Sequence, residues 1–273
     1  MTFFFEKFLN SFSDLQDNIM NGQNNILKVM GLILDLILPR KCAVCGTVLR
    51  NFEKHLCTKC LADFPYTFYW KLPHNPMADK FNEKIQDYYY SGDCPDKFPS
   101  SKISYSYASA LFFFNSEAQY RHIQYKIKYC GDICLGRFFG RILGEKICKS
   151  DHLHDIDIII PVPLYWSRRL KRGYNQAEII AEGIADSTKA KLCTAILYRT
   201  RSTKTQTKLS VNMKALNVRG AFKAKRRLDG RHHILLVDDV FTTGATLCSC
   251  YAALREAAPE CIISIATLAT VSN

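Results

Sequence analysis

Basic residues are almost lacking in residues 1–10, so the sequence does not predict a secretory signal peptide. Lys7 is the only basic residue in residues 1–10, and Glu6 stands beside it, whereas a signal peptide starts with a basic stretch that an apolar stretch follows. The twelve cysteines do not suggest secretion either, because four of them form two close C-x-x-C pairs and the rest are scattered singly. Disulfide frameworks are typical of short secreted chains. We therefore expect a cytoplasmic protein.

The sequence also lacks an apolar run long enough to cross a bilayer. Residues 26–38 read ILKVMGLILDLIL, with Lys28 and Asp35 interrupting the run, whereas a membrane-spanning helix needs about 20 apolar residues. The apolar residues recur at helical spacing, which predicts a helix packed on the protein. A helix lying on a membrane surface is the alternative. We interpret residues 1–40 as an amphipathic helical segment that does not span a membrane.

Acidic residues are few relative to basic ones, 25 against 37, and the formal net charge is +12. Residues 198–231 hold eleven Lys and Arg residues, with Asp229 as their only acid. A second basic cluster comprises Arg168, Arg169, Lys171 and Arg172. Such clusters attract polyanions, either nucleic acid or a multiply phosphorylated metabolite, and charge alone does not decide between the two.

The composition divides the chain into four segments, of which residues 1–40 are the first. A length of 273 residues suits a small module followed by a larger domain. Residues 41–70 hold the paired cysteines and several aromatic residues. Residues 71–104 are linker-like, because helix and strand breakers interrupt any long element. These breakers are Pro73, Pro76, Gly92, Pro95 and Pro99. In residues 105–273, strand and helix patterns alternate.

This alternation predicts an α/β domain with a parallel sheet. The strand patterns cover residues 107–114, 156–162, 191–198, 233–237 and 261–268. The helix patterns cover residues 116–129, 133–149, 175–189, 209–217 and 245–257. Ligands bind such sheets beyond the carboxyl ends of the strands. The loops after residues 162, 198 and 237 are therefore the predicted site, and the two basic clusters fall in the first two of them.

The loop after residue 237 carries the strongest chemical signal. Residues 233–246 read HILLVDDVFTTGAT, a buried strand, two adjacent acids and a turn that leads into a helix. The turn offers hydroxyls and backbone N–H groups to an anion at the helix N-terminus, and Gly244 permits a positive φ close to a phosphate. Asp238 and Asp239 would repel that phosphate, so they suit the hydroxyl pair of a sugar with a hard cation nearby.

This stretch resembles the signature with which type I phosphoribosyltransferases bind 5-phosphoribosyl-1-pyrophosphate (PRPP). The resemblance implies that Asp238 and Asp239 bind the ribose hydroxyls and that Mg²⁺ accompanies PRPP. It implies a cradle for the 5-phosphate formed by Thr242, Thr243, Gly244, Ala245 and Thr246. An ordinary buried strand followed by a capped helix is the alternative.

Other motifs narrow the resemblance to the ComF family, whose members join a zinc ribbon to a phosphoribosyltransferase-like domain. Residues 160–178 read IPVPLYWSRRLKRGYNQAE, and residues 200–222 contain TQTKLS and NVRGAF. The fold class that the resemblance implies is α/β, with a parallel-sheet type I phosphoribosyltransferase-like domain after an N-terminal helix and a four-cysteine ribbon. Some members of the family are required for the uptake of transforming DNA.

The same resemblance implies roles for residues in the basic clusters. The pyrophosphate group would be bound by Arg168, Arg169 and Arg172, since guanidinium groups suit it. A solvated surface is the alternative for each of them. Residues 199–210 resemble the flexible loop that closes over PRPP in the enzymes. Arg199 and Lys204 are therefore candidate catalytic residues beside the two aspartates, although a loop without this role is an equal alternative.

The paired cysteines predict a metal site in residues 41–70. Cys42 and Cys45 form one pair and Cys57 and Cys60 the other, with eleven residues between the pairs. Each pair places two thiolates on one turn, and two such turns complete a closed tetrahedral site for structural Zn²⁺. A redox dithiol would need only one pair. His55 lies between the pairs but is surplus to a complete set of four ligands.

Aromatic residues follow the ribbon, and their alternation over residues 64–70 predicts a strand. Basic residues lie near them, at Lys41, Arg50, Lys54 and Lys59. An exposed aromatic face in this surrounding could stack single-stranded bases. Packing against the rest of the protein is the alternative, because small ribbons need such support.

Two main functions are compatible with these patterns. The first is an enzyme that transfers phosphoribose from PRPP to an unidentified acceptor and releases pyrophosphate. The second is a non-catalytic, PRPP-regulated protein that binds single-stranded DNA and works with the DNA-uptake machinery. A small-molecule sensor without chemistry or DNA is a weaker third. No signature for a particular purine or pyrimidine acceptor is recognisable, so the sequence supports PRPP binding better than PRPP turnover.

Overall fold

The computed structural model of the protein describes residues 39–90, 104–115, 117–201, 220–225, 228 and 230–271. These residues belong to two compact units. The first unit comprises Met1–Pro65 and Phe114–Gly136, and the second comprises Tyr66–Phe113 and Arg137–Asn273. The predicted helix at residues 209–217 and residues 1–38 of the predicted N-terminal segment lie outside the described residues. Within the described residues, no helix has the length and apolarity needed to cross a membrane.

Seven α-helices and seven strands are numbered in chain order over the described residues. The helices are α1 (Thr58–Ala62), α2 (Pro76–Tyr90), α3 (Arg121–Tyr125), α4 (Ile133–Ile147), α5 (Trp166–Arg172), α6 (Gln176–Thr188) and α7 (Ala245–Ala257). The strands are β1 (Ala108–Phe114), β2 (Ile158–Pro161), β3 (Lys191–Leu192), β4 (Leu197–Arg199), β5 (Phe222–Ala224), β6 (His233–Phe241) and β7 (Ile262–Val271).

A five-stranded sheet with the order β1-β7-β6-β2-β3 forms the centre of the second unit. Strands β7, β6, β2 and β3 pair in parallel, so the predicted α/β class with a parallel sheet is confirmed. Ile234 and Leu236 on β6 join a core with residues of α2 and α7. Leu235 and Val237 are also fully buried and point to the opposite face, because side chains alternate along a strand. Burial on both faces explains the uninterrupted aliphatic run.

Helices α4 and α6 of the second unit approach so closely that only glycine fits between them. A methyl group added to Gly140 would lie 2.3 Å from the carbonyl oxygen of Ile180, and one added to Gly183 would lie 2.3 Å from that of Arg137. The Arg137 side chain also donates two hydrogen bonds to Asp186, at 2.8 and 2.9 Å. The pair of helices therefore depends on two small residues and a bidentate ion pair.

The prediction that breakers prevent a long element in residues 71–104 is wrong, because α2 is a helix of 15 residues. Pro76 occupies the first helical position, where a missing N–H is harmless because that position has no intrahelical acceptor. The Asn75 side chain caps the helix by accepting a hydrogen bond from the Ala78 N–H at 3.0 Å. Proline therefore begins this helix instead of interrupting it.

Other elements differ from the sequence prediction in extent. The strand predicted at residues 191–198 divides into β3, which pairs with β2, and β4, which pairs with β5 in a separate antiparallel sheet. The helix predicted at residues 116–129 is replaced by α3 and one turn of π-helix, Lys126–Cys130. The strand predicted at residues 64–70 is absent from these described residues. Phe68 there has φ of 59°, which an extended chain does not allow.

Candidate functional site

Strands β2 and β6 run in parallel towards the same edge of the sheet, and β6 extends further. Pro161 on β2 lies opposite Val237 on β6, and β6 continues in register with β7 as far as Phe241. Asp238 and Asp239 therefore lie within the strand, and their predicted position in a loop is wrong. The parallel pairing with β7 explains the difference, since it carries the backbone hydrogen bonding past Val237. The Asp238 carboxylate accepts a hydrogen bond from the Asp239 N–H at 2.8 Å.

The β6–α7 turn, residues 242–246, connects this strand to α7. Gly244 has φ of +74° and is the residue before the first helical residue, Ala245. Its carbonyl accepts the first helical hydrogen bond, from the Cys248 N–H at 2.8 Å. The N–H groups of the first helical turn have no intrahelical acceptor, so they are available to an anion. The local structure is therefore the strand, turn and helix that the sequence pattern requires, while phosphate binding stays a prediction.

Arg199 lies near both a second arginine and Asp238. Burial lowers the pKa of Arg199 on β4, the positive charge of Arg168 on α5 lowers it further, and the negative charge of Asp238 opposes both effects. The Arg199 guanidinium also lies 5.2 Å from the centre of the Phe222 ring. Arg168, a cation that repels Arg199, and the acid Asp238 thus both lie near Arg199 at this edge of the sheet. A bound anion would stabilise this arrangement.

The remaining predicted basic residues have different surroundings. Arg169 forms an ion pair with Glu178 on α6, with 3.3 Å between Nη2 and Oε2, and its side chain is largely exposed. Arg172 is half-buried at the end of α5. Lys204 lies outside the described residues. Of the three predicted pyrophosphate ligands, the structure therefore places Arg168 near Arg199 and pairs Arg169 with a helix carboxylate.

Asn175 positions the loop that follows β2. Its side chain donates a hydrogen bond to the Val162 carbonyl at 3.0 Å and accepts one from the Ala177 N–H at 3.2 Å. The second bond caps α6, as an asparagine before a helix is expected to do. The first bond fixes the chain beside the residue before Asp238, because the Val162 N–H donates to the Val237 carbonyl at 2.8 Å.

The four paired cysteines form a cluster in the first unit. The Sγ atoms of Cys42, Cys45, Cys57 and Cys60 all lie within 4.8 Å of one another. The Cys45 and Cys57 sulfurs are 3.7 Å apart, and a tetrahedral ion with Zn–S bonds of about 2.3 Å places sulfurs about 3.8 Å apart. The donor set and its spacing therefore fit a metal ion. His55 is not part of the cluster among the described residues.

Glu53, which the sequence patterns did not single out, holds the loop between the two cysteine pairs. Its carboxylate accepts hydrogen bonds of 2.7 Å from the Arg50 N–H, the Thr58 N–H and the Thr58 hydroxyl. These bonds lower the pKa of Glu53. Arg40 donates to the Glu53 carbonyl at 3.0 Å. A single carboxylate thus fixes the start of α1, on which Cys60 lies.

The surroundings of the cysteine thiols differ. Hydrogen bonds from Thr47 lower the pKa of Cys45 to about 6. Burial raises the pKa of Cys60. A bound cation would favour the thiolate form of every ligand, because metal binding displaces the thiol protons.

The family model for the phosphoribosyl transferase domain matches residues 170–272 of this chain. The chain is 35% identical over 91 residues to DNA utilization protein YhgH of Escherichia coli strain K12, which covers 33% of this chain and 40% of that protein. It is 31% identical over 141 residues to Competence protein F of Haemophilus influenzae, covering 50% of this chain and 61% of that protein.

A longer match links the chain to Competence protein ComFC of Streptococcus pneumoniae. The two are 27% identical over 233 residues, which cover 80% of this chain and 94% of that protein. The matched domain, these relatives and the four-cysteine cluster agree with the resemblance that the motifs indicated. Together they support the ComF family for this chain, with a phosphoribosyltransferase-like domain.

Proposed function

We propose that this chain binds PRPP with Mg²⁺ and transfers the phosphoribosyl group to an acceptor, with release of pyrophosphate. The observation that carries the proposal is the end of β6, where two adjacent aspartates precede a turn that enters α7 through a glycine of positive φ. In this proposal the acids bind the ribose and the turn binds the 5-phosphate of one ligand. Arg168 and Arg199 supply positive charge at the same edge.

Each group has one role in the proposal. Asp238 and Asp239 accept hydrogen bonds from the ribose hydroxyls, and their carboxylate oxygens suit a hard cation nearby. The backbone N–H groups and hydroxyls of the β6–α7 turn bind the 5-phosphate. Mg²⁺, when bound, would neutralise charge on the departing pyrophosphate.

The arginines act on the leaving group. Arg168 and Arg199 repel each other until an anion lies between them, so bound pyrophosphate relieves a cost that the free protein carries. Bidentate guanidinium contacts then stabilise the charge that develops as the bond to the ribose breaks. Arg172 is a further ligand in this proposal. Arg169 contributes only after it leaves Glu178, to which it is bound in the structure.

We also propose that the cysteine cluster holds structural Zn²⁺ and that the protein works in the cytoplasm. Four thiolates leave no open position for catalysis, so the ion would stabilise the fold of the first unit. Two close cysteine pairs that share one cluster suit a metal site in a reducing compartment better than a secreted disulfide framework. Metal analysis should find one zinc per chain in the wild type and none in Cys57→Ser. A fully metallated Cys57→Ser protein would contradict the assignment.

The experiment that tests the transferase proposal measures pyrophosphate release from Mg–PRPP, with and without pooled nucleobases, in the wild type and in Asp239→Asn. We expect acceptor-dependent release in the wild type and none in the variant, because the amide cannot replace a carboxylate toward ribose and cation. Release that Asp239→Asn leaves unchanged would contradict the proposed site. If PRPP binds but no acceptor causes release of pyrophosphate, the protein binds PRPP without turning it over.

A specific observation supports a second function, the binding of single-stranded DNA in DNA uptake. Helix α5 has four basic residues among seven and no buried residue. Trp166 and Leu170 are 63% and 76% exposed on it. An aromatic ring among cations suits stacked bases and phosphates. The names of the relatives, competence and DNA utilization proteins, agree with this function.

Tryptophan fluorescence tests the DNA surface directly. The chain has two tryptophans, and Trp70 is buried whereas Trp166 is exposed. In a Trp70→Phe variant, we expect a single-stranded oligonucleotide to quench the emission of Trp166, with an affinity that falls steeply as salt rises. A Trp166→Phe variant that keeps Trp70 should show no quenching. Absence of quenching at low salt would contradict the assignment of DNA binding to α5.

A further inference from the structure

A chain of aromatic rings connects α2 with both sides of the β6–α7 turn. Phe81 on α2 lies edge-to-face with Phe241, the last residue of β6, with 6.5 Å between ring centroids and 78° between the planes. It also lies edge-to-face with Tyr251 on α7, at 5.8 Å and 87°. All three side chains are buried. One side chain thus contacts the strand before the turn and the helix after it.

The last ring in this chain is in contact with the turn itself. A methyl group placed on Gly244 would lie 3.0 Å from two ring carbons of Phe241 and 3.9 Å from a ring carbon of Phe81. The Gly244 backbone is therefore packed on the Phe241 ring, with Phe81 directly behind it. Because protein interiors are close-packed, a shift of the Phe241 ring is transmitted to the backbone at Gly244.

Helix α2 is itself held in place on two sides. Asn82 exchanges two hydrogen bonds of 2.9 Å with the backbone of Ser106, just before β1. Asn75 donates to the Ala108 carbonyl on β1 at 3.0 Å. On the other side, the Cys248 thiol of α7 donates to the Lys84 carbonyl at 3.4 Å. Phe81 is thus presented from a helix whose position is fixed by β1 and α7.

We propose that Phe81 is a positioning residue for the β6–α7 turn and sets its affinity for the 5-phosphate of the ligand. The proposal rests on the proposed PRPP function and adds to it a residue of α2, which lies outside the match to the phosphoribosyl transferase domain at residues 170–272. Phe81 is buried and touches no ligand itself. It acts by holding the Phe241 ring against Gly244, so that the N–H groups of the turn keep the spacing that a phosphate requires.

The test measures binding by calorimetry with Mg²⁺ and three ligands: PRPP, ribose 5-phosphate and pyrophosphate. In Phe81→Leu, we expect the Kd for PRPP and for ribose 5-phosphate to rise about tenfold, because small displacements of a preorganised site cost this much or more. The Kd for pyrophosphate should stay within about twofold, because pyrophosphate lacks the 5-phosphate that the turn binds. Phe81→Met, which keeps most of the side-chain volume, should give the same pattern if the leucine variant does not fold.

Phe139→Leu is the matched control. Phe139 is equally buried, and its ring neighbours are Phe112 and Phe138, neither of which belongs to the turn. It should lose stability as Phe81→Leu does but bind all three ligands as the wild type does. An equal rise in the Kd for ribose 5-phosphate in both variants, or an unchanged Kd in Phe81→Leu, would overturn the positioning role.

Amide hydrogen exchange of a peptide covering the β6–α7 turn gives a readout that needs no ligand. We expect faster exchange there in Phe81→Leu than in Phe139→Leu when both are compared at equal stability. If the wild type binds none of the three ligands, the proposed function fails, and this exchange alone decides whether Phe81 orders the turn. Equal exchange in the two variants would overturn that role as well.

Discussion

At the scale of single residues, Gly244 combines a positive φ with close packing. Gly173 also has a positive φ, +87°, but an added methyl group would meet nothing within 4 Å. We expect Gly173→Ala to lower the free energy of unfolding by about 1–2 kcal/mol, the cost of a left-handed conformation for an L-residue. The free energy of unfolding should fall further in Gly244→Ala, because the added methyl group also presses on the Phe241 ring. Urea denaturation of both variants measures the difference, and equal losses would show that the ring contact is unimportant.

At the scale of elements, we expect the contact between α4 and α6 to reverse the usual effect of replacing a helical glycine by alanine. Replacement of glycine by alanine inside a helix normally stabilises it by about 1 kcal/mol. In Gly140→Ala, the added methyl group would lie 2.3 Å from the Ile180 carbonyl oxygen, and we expect a net loss of about 1–3 kcal/mol from overpacking. Thermal and urea unfolding measure the sign of this stability change. A stabilised variant would refute the close approach of the two helices.

At the scale of the whole molecule, acid should destabilise the fold through two carboxylates of the second unit. The hydrogen bond from Arg137 lowers the pKa of Asp186. Burial raises the pKa of Asp155, but a hydrogen bond of 2.6 Å with His233 and the nearby charges of His233 and His154 together outweigh it, and the net shift is downward. A carboxylate with a lowered folded-state pKa stabilises the protein above its unfolded pKa, and this contribution is lost as the pH falls through the folded value.

We therefore expect the melting temperature to fall as the pH is lowered below about 4. Asp186→Asn should melt lower than the wild type at neutral pH and approach it in acid, because its ion pair with Arg137 is already absent. Calorimetric scans across this range are the measurement. Melting curves of the two proteins that stay parallel at all pH values would contradict the role given to Asp186.

Several elements were predictable because local rules decide them. Helix α7 has the predicted bounds, 245–257, and Asn175 caps α6 as its side chain allows. The aliphatic run of β6 predicted a buried strand. The two C-x-x-C pairs predicted the four-thiol cluster. In each case residues close in the sequence supply the whole signal.

Other features depend on contacts between residues far apart in the sequence. The extension of β6 through Asp238 and Asp239 follows from pairing with β7. The sequence pattern of α2 predicts a linker, because proline at its first position has the same local signature as a breaker. Glu53 and Phe81 carry no motif, and their partners are assembled only by the fold.

The sequence by itself determined the chemistry that this protein carries: the acids, the turn with its glycine, the basic clusters and the two cysteine pairs. Only the tertiary structure decided which of these meet. It brings Arg199 near both Arg168 and Asp238, binds Arg169 to Glu178, and places Phe81 behind the β6–α7 turn. The physical reason is that short-range patterns determine residue type and local conformation, whereas strand register and helix packing depend on contacts across the chain.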